Sequence, residues 1–330
     1  MMSHPLAVGI DLGGTNLKGA VVTSDAAVLR RHAIPTNLER GPVAVVEDME
    51  HLVDGLLKQV GAERSSLAGV GVAAPGPLSP TSGRILRTAN LPGWVDVPLR
   101  DLVVERIGRP VFLENDGNAA AFGEFTAALR AGEAAEDLVM FTLGTGVGCG
   151  VILGRRILHG HFENAAELGH MIVAVDGLPC PCGQRGCLER YSSAGAVARR
   201  VAAALENGEA SRLAGTGGTG RTLDAELVIE AARAGDALCK RIWDEACAYL
   251  ALACINVQHA YNPARIILGG GMARAGAFLV GQVLGHVERR RWRLCDDLPA
   301  ITLGRLGYDA GVVGAAALCF GDPPANPGTA

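Results

Sequence analysis

Two stretches of the chain alternate apolar and small residues about a pair of glycines. "AVGIDLGGTNLKGAVV" (residues 7–22) and "VMFTLGTGVGCGVIL" (139–153) each read as strand, tight glycine turn, strand. A shift of 131 positions lays Leu12 on Leu143, Gly13 on Gly144 and Gly19 on Gly150 without a gap, with Asp11 falling on Thr142. This is the trace of a duplication into two α/β halves, each opening with a glycine hairpin, though a match this short also arises by coincidence. Between the hairpins, Val46, Met49, Leu52, Val53, Leu56, Leu57 and Val60 recur at helical spacing. "LAGVGVAAPGP" follows as a buried strand closed by a Pro-Gly-Pro turn, and "PVFLEN" as a second strand running into the alanine-rich helix of "DGNAAAFGEF". Asp116 thereby falls at a strand-to-helix junction. Ile242, Ala246, Leu250, Ala253 and Val257 line one face of a long helix that stops at Asn262-Pro263, before the strand and glycine turn of "RIILGGGMA". Residues Glu206–Arg221 carry glycine and threonine without periodicity and read as a surface loop.

The chain has 330 residues, 49% of them hydrophobic, which is long enough for two domains with cores of their own. No unstructured linker separates the halves, so they are expected to pack with a cleft between them. The formal charge of -4 and the absence of a basic stripe argue against a nucleic-acid partner. There is no signal-peptide pattern at "MMSHPLAVGIDLGG" and no membrane-length apolar run, and the expected location is cytoplasmic. Of nine cysteines, Cys149, Cys239, Cys247, Cys254, Cys295 and Cys319 sit among apolar neighbours, as buried thiols in a reducing compartment do. The other three crowd into "CPCGQRGCLE", and in such a compartment a tight group is more often a metal site than a disulfide framework.

Glycine turns let backbone N–H groups approach phosphate oxygens without obstruction. Three occur, at Gly13-Gly14, Gly144-Thr145-Gly146 and Gly269-Gly270-Gly271. The first also carries Asp11, able to hold Mg²⁺ directly or through water, and Thr15, Asn16 and Lys18, within reach of phosphate. None fits a P-loop or a Rossmann fingerprint, and the bland alternative is three structural turns. Asp116 suits the base that takes a hydroxyl proton in phosphoryl transfer; on spacing alone, Asn115 or Asp116 capping a helix is the commoner explanation.

In order along the chain, "GIDLGGTNLK", "APGP", "TANLPGW", "LENDGNAAAFGE", "LGTGVGCG", "AAELGH", "CPCGQRGCLE" and "ILGGGMA" resemble the ROK family of sugar kinases, and within it the bacterial ATP-dependent glucokinases. The resemblance runs from Val8 to about Leu318 and implies an α/β fold of the actin-like ATPase type, two RNase H-like domains around a central cleft. A smaller domain, 1–116, would be completed by a C-terminal helix over 309–330, and a larger one, 117–308, would carry a zinc loop. The resemblance implies structural Zn²⁺ on His170, Cys180, Cys182 and Cys187, a Cys3His set that is chemically sound by itself. A metal-free thiol cluster and a small nucleic-acid zinc module are the alternatives. His159 and His161 read as loop residues rather than ligands. Carried residue by residue, the hexose would meet Gly76, Asn90, Asn115, Asp116, Glu167, His170 and Glu189, with Asp116 catalytic; Glu189 could instead cap a helix or pair with Arg190.

Gly117, Cys149 and "HFENAAELGH" depart from the common glucokinase pattern, and "NDGN" with "AAELGH" is similar to the N-acetylmannosamine kinases of the family. The expected activity is ATP-dependent phosphorylation of a hexose at its 6-hydroxyl, with glucose the first choice of acceptor. N-acetylmannosamine, N-acetylglucosamine or fructose comes second, and a non-catalytic sugar-responsive regulator third. A DNA-binding repressor is disfavoured because the first strand begins by about Leu6, leaving no room for a helix-turn-helix. A homodimer or homotetramer is the expected assembly. Loss of zinc is expected to weaken sugar binding first and ATP binding much less.

Overall fold

Each glycine hairpin opens a five-stranded sheet, and the two sheets share one strand order. The computed structural model describes residues 4–321 apart from 89, 134–135, 216–221 and 295. The end of the expected 206–221 loop, Cys295 and the last part of the expected 309–330 helix therefore lie outside the described residues. The first sheet takes β1 (Leu6–Leu12), β2 (Asn16–Thr23), β3 (Val28–Pro35), β4 (Leu67–Ala74) and β8 (Val111–Asn115) in the order β3-β2-β1-β4-β8. β1, β4 and β8 are parallel, while β2 and β3 run antiparallel as a meander. The second takes β9 (Leu138–Leu143), β10 (Val147–Leu153), β11 (Arg156–Ile157), β12 (Arg265–Gly269) and β13 (Ala300–Leu303) as β11-β10-β9-β12-β13. In both, the third, second and first strands of the half precede the fourth and fifth. This repeated order is the duplicated α/β arrangement of the actin-like ATPase fold. A third sheet, of β5 (Leu78–Ser79), β6 (Arg84–Arg87) and β7 (Val95–Val97), is inserted between β4 and β8.

The chain divides into two compact units, Met1–Leu138 with Gly150–Ala166 and Arg305–Ala330, and Val139–Cys149 with Glu167–Gly304. Residues 117–138 and 150–166 thus belong with the first unit, where the sequence reading assigned them to the second. The reason is packing: α3 (Asp116–Arg130) lies against α9 (Ala310–Ala317), and Gly150 lies against the first turn of α3.

In the first unit α1 (Gly41–Val60) begins with Pro42 in its first turn and ends at Gly61, whose φ of 67° closes the last turn. Val45, Met49, Leu52, Val53 and Leu56 form its buried stripe, and Gly19 of β2 leaves room for Leu52 and Leu56. α2 (Leu99–Ile107) precedes β8. On the other face of the sheet α9, built of "AGVVGAAA", approaches so closely that side chains are excluded at the contacts. A Cβ on Gly9 of β1 would overlap the Val312 carbonyl, one on Gly71 of β4 the Ala315 carbonyl, and one on Gly314 the Ala119 carbonyl of α3. Backbone on both sides cannot yield as a flexible side chain could. We therefore expect Gly314→Val to lower stability by about 3 kcal/mol or more through overpacking, read as a shifted thermal or urea midpoint. A variant melting with the wild type would show that α9 stands off from α3.

The second unit holds most of β9, the start of β10, and β12 and β13, and is otherwise mostly helical: α4 (Glu189–Ser192), α5 (Ala194–Glu206), α6 (Ala225–Arg233), α7 (Ala237–Tyr261) and α8 (Ala277–Arg290). Asp236 caps α7 by accepting from Cys239 N–H, and Asn262 at φ 44° ends it, as Asn262-Pro263 predicts.

Candidate functional site

Parallel strands bring the first unit's candidate residues to one edge. The register sets Asp11 of β1 beside Ala73 of β4, and Ala74 beside Asn115 of β8. The first hairpin, Gly76 and Asp116 therefore all follow the carboxyl ends of neighbouring strands, where open α/β sheets hold their ligands. In the hairpin, Gly13 N–H donates to Asn16 O at 3.0 Å. The Thr36 hydroxyl donates to Gly13 O at 2.7 Å and Thr36 N–H to Thr15 O at 3.0 Å, which leaves Gly14, Thr15 and Asn16 exposed at the tip. Across the strand pair, Lys18 Nζ lies 3.0 Å from Asp11 Oδ2. Asn90 sits against this loop, its carbonyl 3.0 Å from where a Cβ of Gly14 would be.

At the end of β8 the capping explanation and the chemical one both hold. Asn115 caps α3, its Oδ1 accepting from Gly117 N–H at 2.9 Å and Asn118 N–H at 3.2 Å, so its amide NH2 is the part left for a ligand. Asp116, the first residue of the helix, is exposed and accepts from Gly117 N–H at 2.8 Å through Oδ1. Behind them is a residue the sequence reading passed over. Glu114 is 2% exposed; its Oε1 accepts from Asn115 N–H at 2.9 Å and from Asn118 Nδ2 at 3.0 Å. Its Oε2 lies 2.7 Å from His159 Nε2. Burial pushes the His159 pKa down, but the bond to Glu114 and the charges of Glu114 and Glu163 outweigh it, and the net shift is upward. His159, in an irregular segment as expected, is thus a partly buried partner of a carboxylate, and His161, two residues on, is exposed. A charge in the apolar strand "VFLEN" was the available signal for Glu114; nothing in the sequence pointed from it to His159.

The second unit gathers the remaining candidates. Gly144 N–H donates to Gly146 O at 3.0 Å, closing the second hairpin, and Ala194 N–H at the start of α5 donates to Gly144 O at 2.9 Å. The Gly269–Gly271 turn comes to the same place: Gly270, at φ 79°, lies against the Leu143 backbone closely enough that a Cβ would collide with it. Glu189, the first residue of α4, neither caps that helix nor pairs with Arg190. Its Oε2 instead accepts from Val147 N–H at 3.0 Å, and a Cβ on Gly146 would strike the same carboxylate. Glu167 precedes a single 3-10 turn, Leu168–His170, whose Gly169 packs on the Val147 carbonyl. Burial raises the Glu167 pKa, the Glu189 charge adds to the rise, and His170 opposes it.

His170, Cys180, Cys182 and Cys187 offer ligand atoms that all lie within 4.8 Å of one another. Cys182 Sγ is 3.7 Å from Cys187 Sγ, and Cys180 Sγ is 3.7 Å from His170 Nδ1. Zn–S bonds of about 2.3 Å set the edge of a tetrahedron at about 3.8 Å, so the spacing is that of ligands around one ion and far too long for a disulfide. The segment is tied by backbone bonds from Val173 N–H to Gly186 O, Cys180 N–H to Gln184 O and Leu188 N–H to Met171 O. Burial pushes the Cys187 thiol up to about 12 and raises Cys180 as well, so a metal would have to displace protons to bind them. Residues and spacing fit zinc.

Among the described residues no helix is long and apolar enough to cross a membrane. Comparison with known proteins gives relatives over nearly the whole length. A glucokinase of Halalkalibacterium halodurans is 36% identical over 314 residues, 95% of this chain and 94% of that one. An N-acetylmannosamine kinase of Citrobacter koseri is 30% identical over 319 residues, covering 96% and 99%. The crystal structure of a ROK family glucokinase from Streptomyces griseus in complex with glucose and AMPPNP superposes with a TM-score of 0.79 at 31% identity, covering 95% of this chain and 98% of that one. The ROK family model matches residues 7–321, and with the repeated sheet order and the full-length relatives this establishes that the chain belongs to the ROK family.

Proposed function

We propose that the protein transfers the γ-phosphoryl group of ATP to the 6-hydroxyl of a hexose, and that the hexose is glucose. The observation that carries the reading is Asp116, an exposed carboxylate at the carboxyl end of β8, on the same sheet edge as the first glycine hairpin. Asp116 takes the proton of the 6-hydroxyl as that oxygen bonds to the γ-phosphorus, the bond to the β-γ bridging oxygen breaks, and ADP leaves. Backbone N–H groups of Gly13–Asn16, Gly144–Gly146 and Gly269–Gly271, with Lys18, hold the nucleotide phosphates, since the glycines of these turns put no side chain between backbone and ligand. Asp11 would hold the Mg²⁺ that accompanies ATP and supplies neutralisation of phosphate charge.

The sugar is fixed by Asn90, the Asn115 amide NH2, Glu167, His170, Glu189 and the Gly76 backbone, directional partners suited to a ring of hydroxyls. His170, Cys180, Cys182 and Cys187 would hold Zn²⁺ with its four positions filled, so zinc orders the site and takes no part in the chemistry. With Nδ1 turned toward Cys180, Nε2 is the His170 nitrogen able to meet a sugar hydroxyl.

Likeness to the Halalkalibacterium and Streptomyces glucokinases supports glucose, and "AAELGH" with the Citrobacter relative supports N-acetylmannosamine as the second reading. ADP release measured with glucose, mannose, fructose, N-acetylglucosamine and N-acetylmannosamine decides between them. A kcat/KM for glucose at least tenfold above either N-acetylated sugar, about 1.4 kcal/mol in the transition state, is expected. The reverse ranking moves the assignment to N-acetylmannosamine, and no turnover with any of the five leaves a sugar-responsive regulator.

A further inference from the structure

We infer that Glu114 and His159 are positioning residues that hold Asn115 and Asp116 in the geometry the reaction needs. The inference rests on Asp116 acting as the base. Glu114 is the single charged side chain of β8 and is 2% exposed. Burying a carboxylate costs several kcal/mol, an ion pair often does no better than a well-packed aliphatic pair, and stability alone gives no reason for one at this place. Its bonds supply a reason. Oε1 joins the last strand residue, through Asn115 N–H, to the first helical turn, through Asn118 Nδ2. Asp116 lies between these two attachment points and has its own Oδ1 on Gly117 N–H. The strand end, the cap and the base thus turn on one carboxylate, and that carboxylate is fixed from its far side by His159.

His159 is delivered by a fastened segment. Leu158 N–H donates to Val151 O at 2.8 Å and Ala165 N–H to His159 O at 2.9 Å. Asn164 Oδ1 accepts from Leu78 N–H at 3.2 Å, and Glu163 accepts from the hydroxyls of Ser79 and Thr81. Glu114 and His159 also border a cavity of about 280 Å³, together with Arg100, Thr81 and Glu163. Empty space on that side means packing alone does not confine the imidazole; its bond to Glu114 does. A displacement of the base by about 1 Å can cost two orders of magnitude in rate, so loosening this bond should appear in turnover before it appears in binding.

The test compares His159→Phe, which removes the donor and keeps the bulk, with His159→Gln, whose amide reaches about as far as Nε2 and can donate to Glu114. Each is assayed for kcat, KM for glucose and for ATP, melting temperature, and amide hydrogen exchange of residues 113–120 in the unliganded protein. We expect His159→Phe to lose about 30-fold in kcat with each KM within threefold, and to exchange faster at Asn115 and Asn118. His159→Gln should recover at least tenfold of the loss. His159→Asn, whose shorter amide stops short of Glu114, serves in place of a Phe variant that does not fold. A donor-less variant with kcat within twofold of wild type overturns the inference, as does a fall in kcat matched by rising KM values and a lowered melting temperature without rescue by Gln. If the wild type phosphorylates no hexose, the proposed function fails by itself. Hydrogen exchange then still decides the positioning claim, and unchanged exchange at 113–120 rejects it.

Discussion

Asp116→Asn is expected to lower kcat by a hundredfold or more while glucose binding stays within a few-fold of wild type. General bases contribute on the order of 10²–10⁴ in rate, and an amide of the same shape accepts no proton. The local structure tolerates the change for a specific reason. Asp116 Oδ1 accepts from Gly117 N–H at 2.8 Å, and an amide oxygen can accept the same bond. Asn115, the residue that caps α3, is untouched, and the loss of one negative charge in the first turn costs under about 1 kcal/mol of helix-dipole interaction. The variant should therefore fold, bind glucose and bind nucleotide, and fail in transfer. Turnover is measured by ADP release, and sugar binding separately by calorimetry. Turnover within threefold of wild type would remove Asp116 from the mechanism. A parallel loss of binding and melting temperature would mean that the charge serves the helix start instead.

Residues that work through local spacing were legible in the sequence. The hairpins at Gly13 and Gly144, the strand-to-helix junction at Asp116, the stripe of α1 and the end of α7 at Asn262 all follow from neighbours within one turn or one strand pair. The cysteine spacing foretold the cluster because three of its four residues lie within eight positions of sequence. Contacts between distant segments were not legible. β5, β6 and β7 are two to four residues long and exist because they pair with one another, with no periodicity long enough to read. "AGVVGAAA" announces an apolar helix, but that its glycine and those of β1, β4 and α3 permit backbone-to-backbone packing depends on partners roughly 200 to 300 residues away. Glu189 is the clearest case at the site. The resemblance set it against the sugar, with a cap or an ion pair as the alternative, and only the folded chain brings it to Val147 N–H.

That bond sets the expected result of removing zinc. Chelation, or Cys187→Ala, should weaken glucose binding at least tenfold, about 1.4 kcal/mol, and nucleotide binding by a smaller but measurable two- to fivefold. The larger effect is expected because His170 would itself be a ligand, Glu167 immediately precedes the turn that carries it, and Glu189 stands two residues beyond Cys187. All three lose a common anchor. Cys187 is fully buried, and without metal its thiol keeps its proton and has only weak sulfur hydrogen bonds, donating to Gln184 Oε1 at 3.5 Å and lying 3.7 Å from Cys182 Sγ, to replace the ion. The smaller effect passes through Glu189, whose carboxylate accepts from Val147 N–H and lies against Gly146 in the second glycine hairpin, the one proposed to hold phosphate. If α4 shifts, that hairpin loses a bond on one side while keeping the one from Ala194 N–H to Gly144 O on the other. A sugar site ordered by zinc in isolation would leave AMPPNP affinity unchanged. Metal content, far-ultraviolet circular dichroism, and separate titrations with glucose and AMPPNP on chelated wild type and on Cys187→Ala distinguish these outcomes. Folded, zinc-free protein that binds glucose normally would reject the anchoring role, and freshly purified wild type without stoichiometric zinc would reject the metal site.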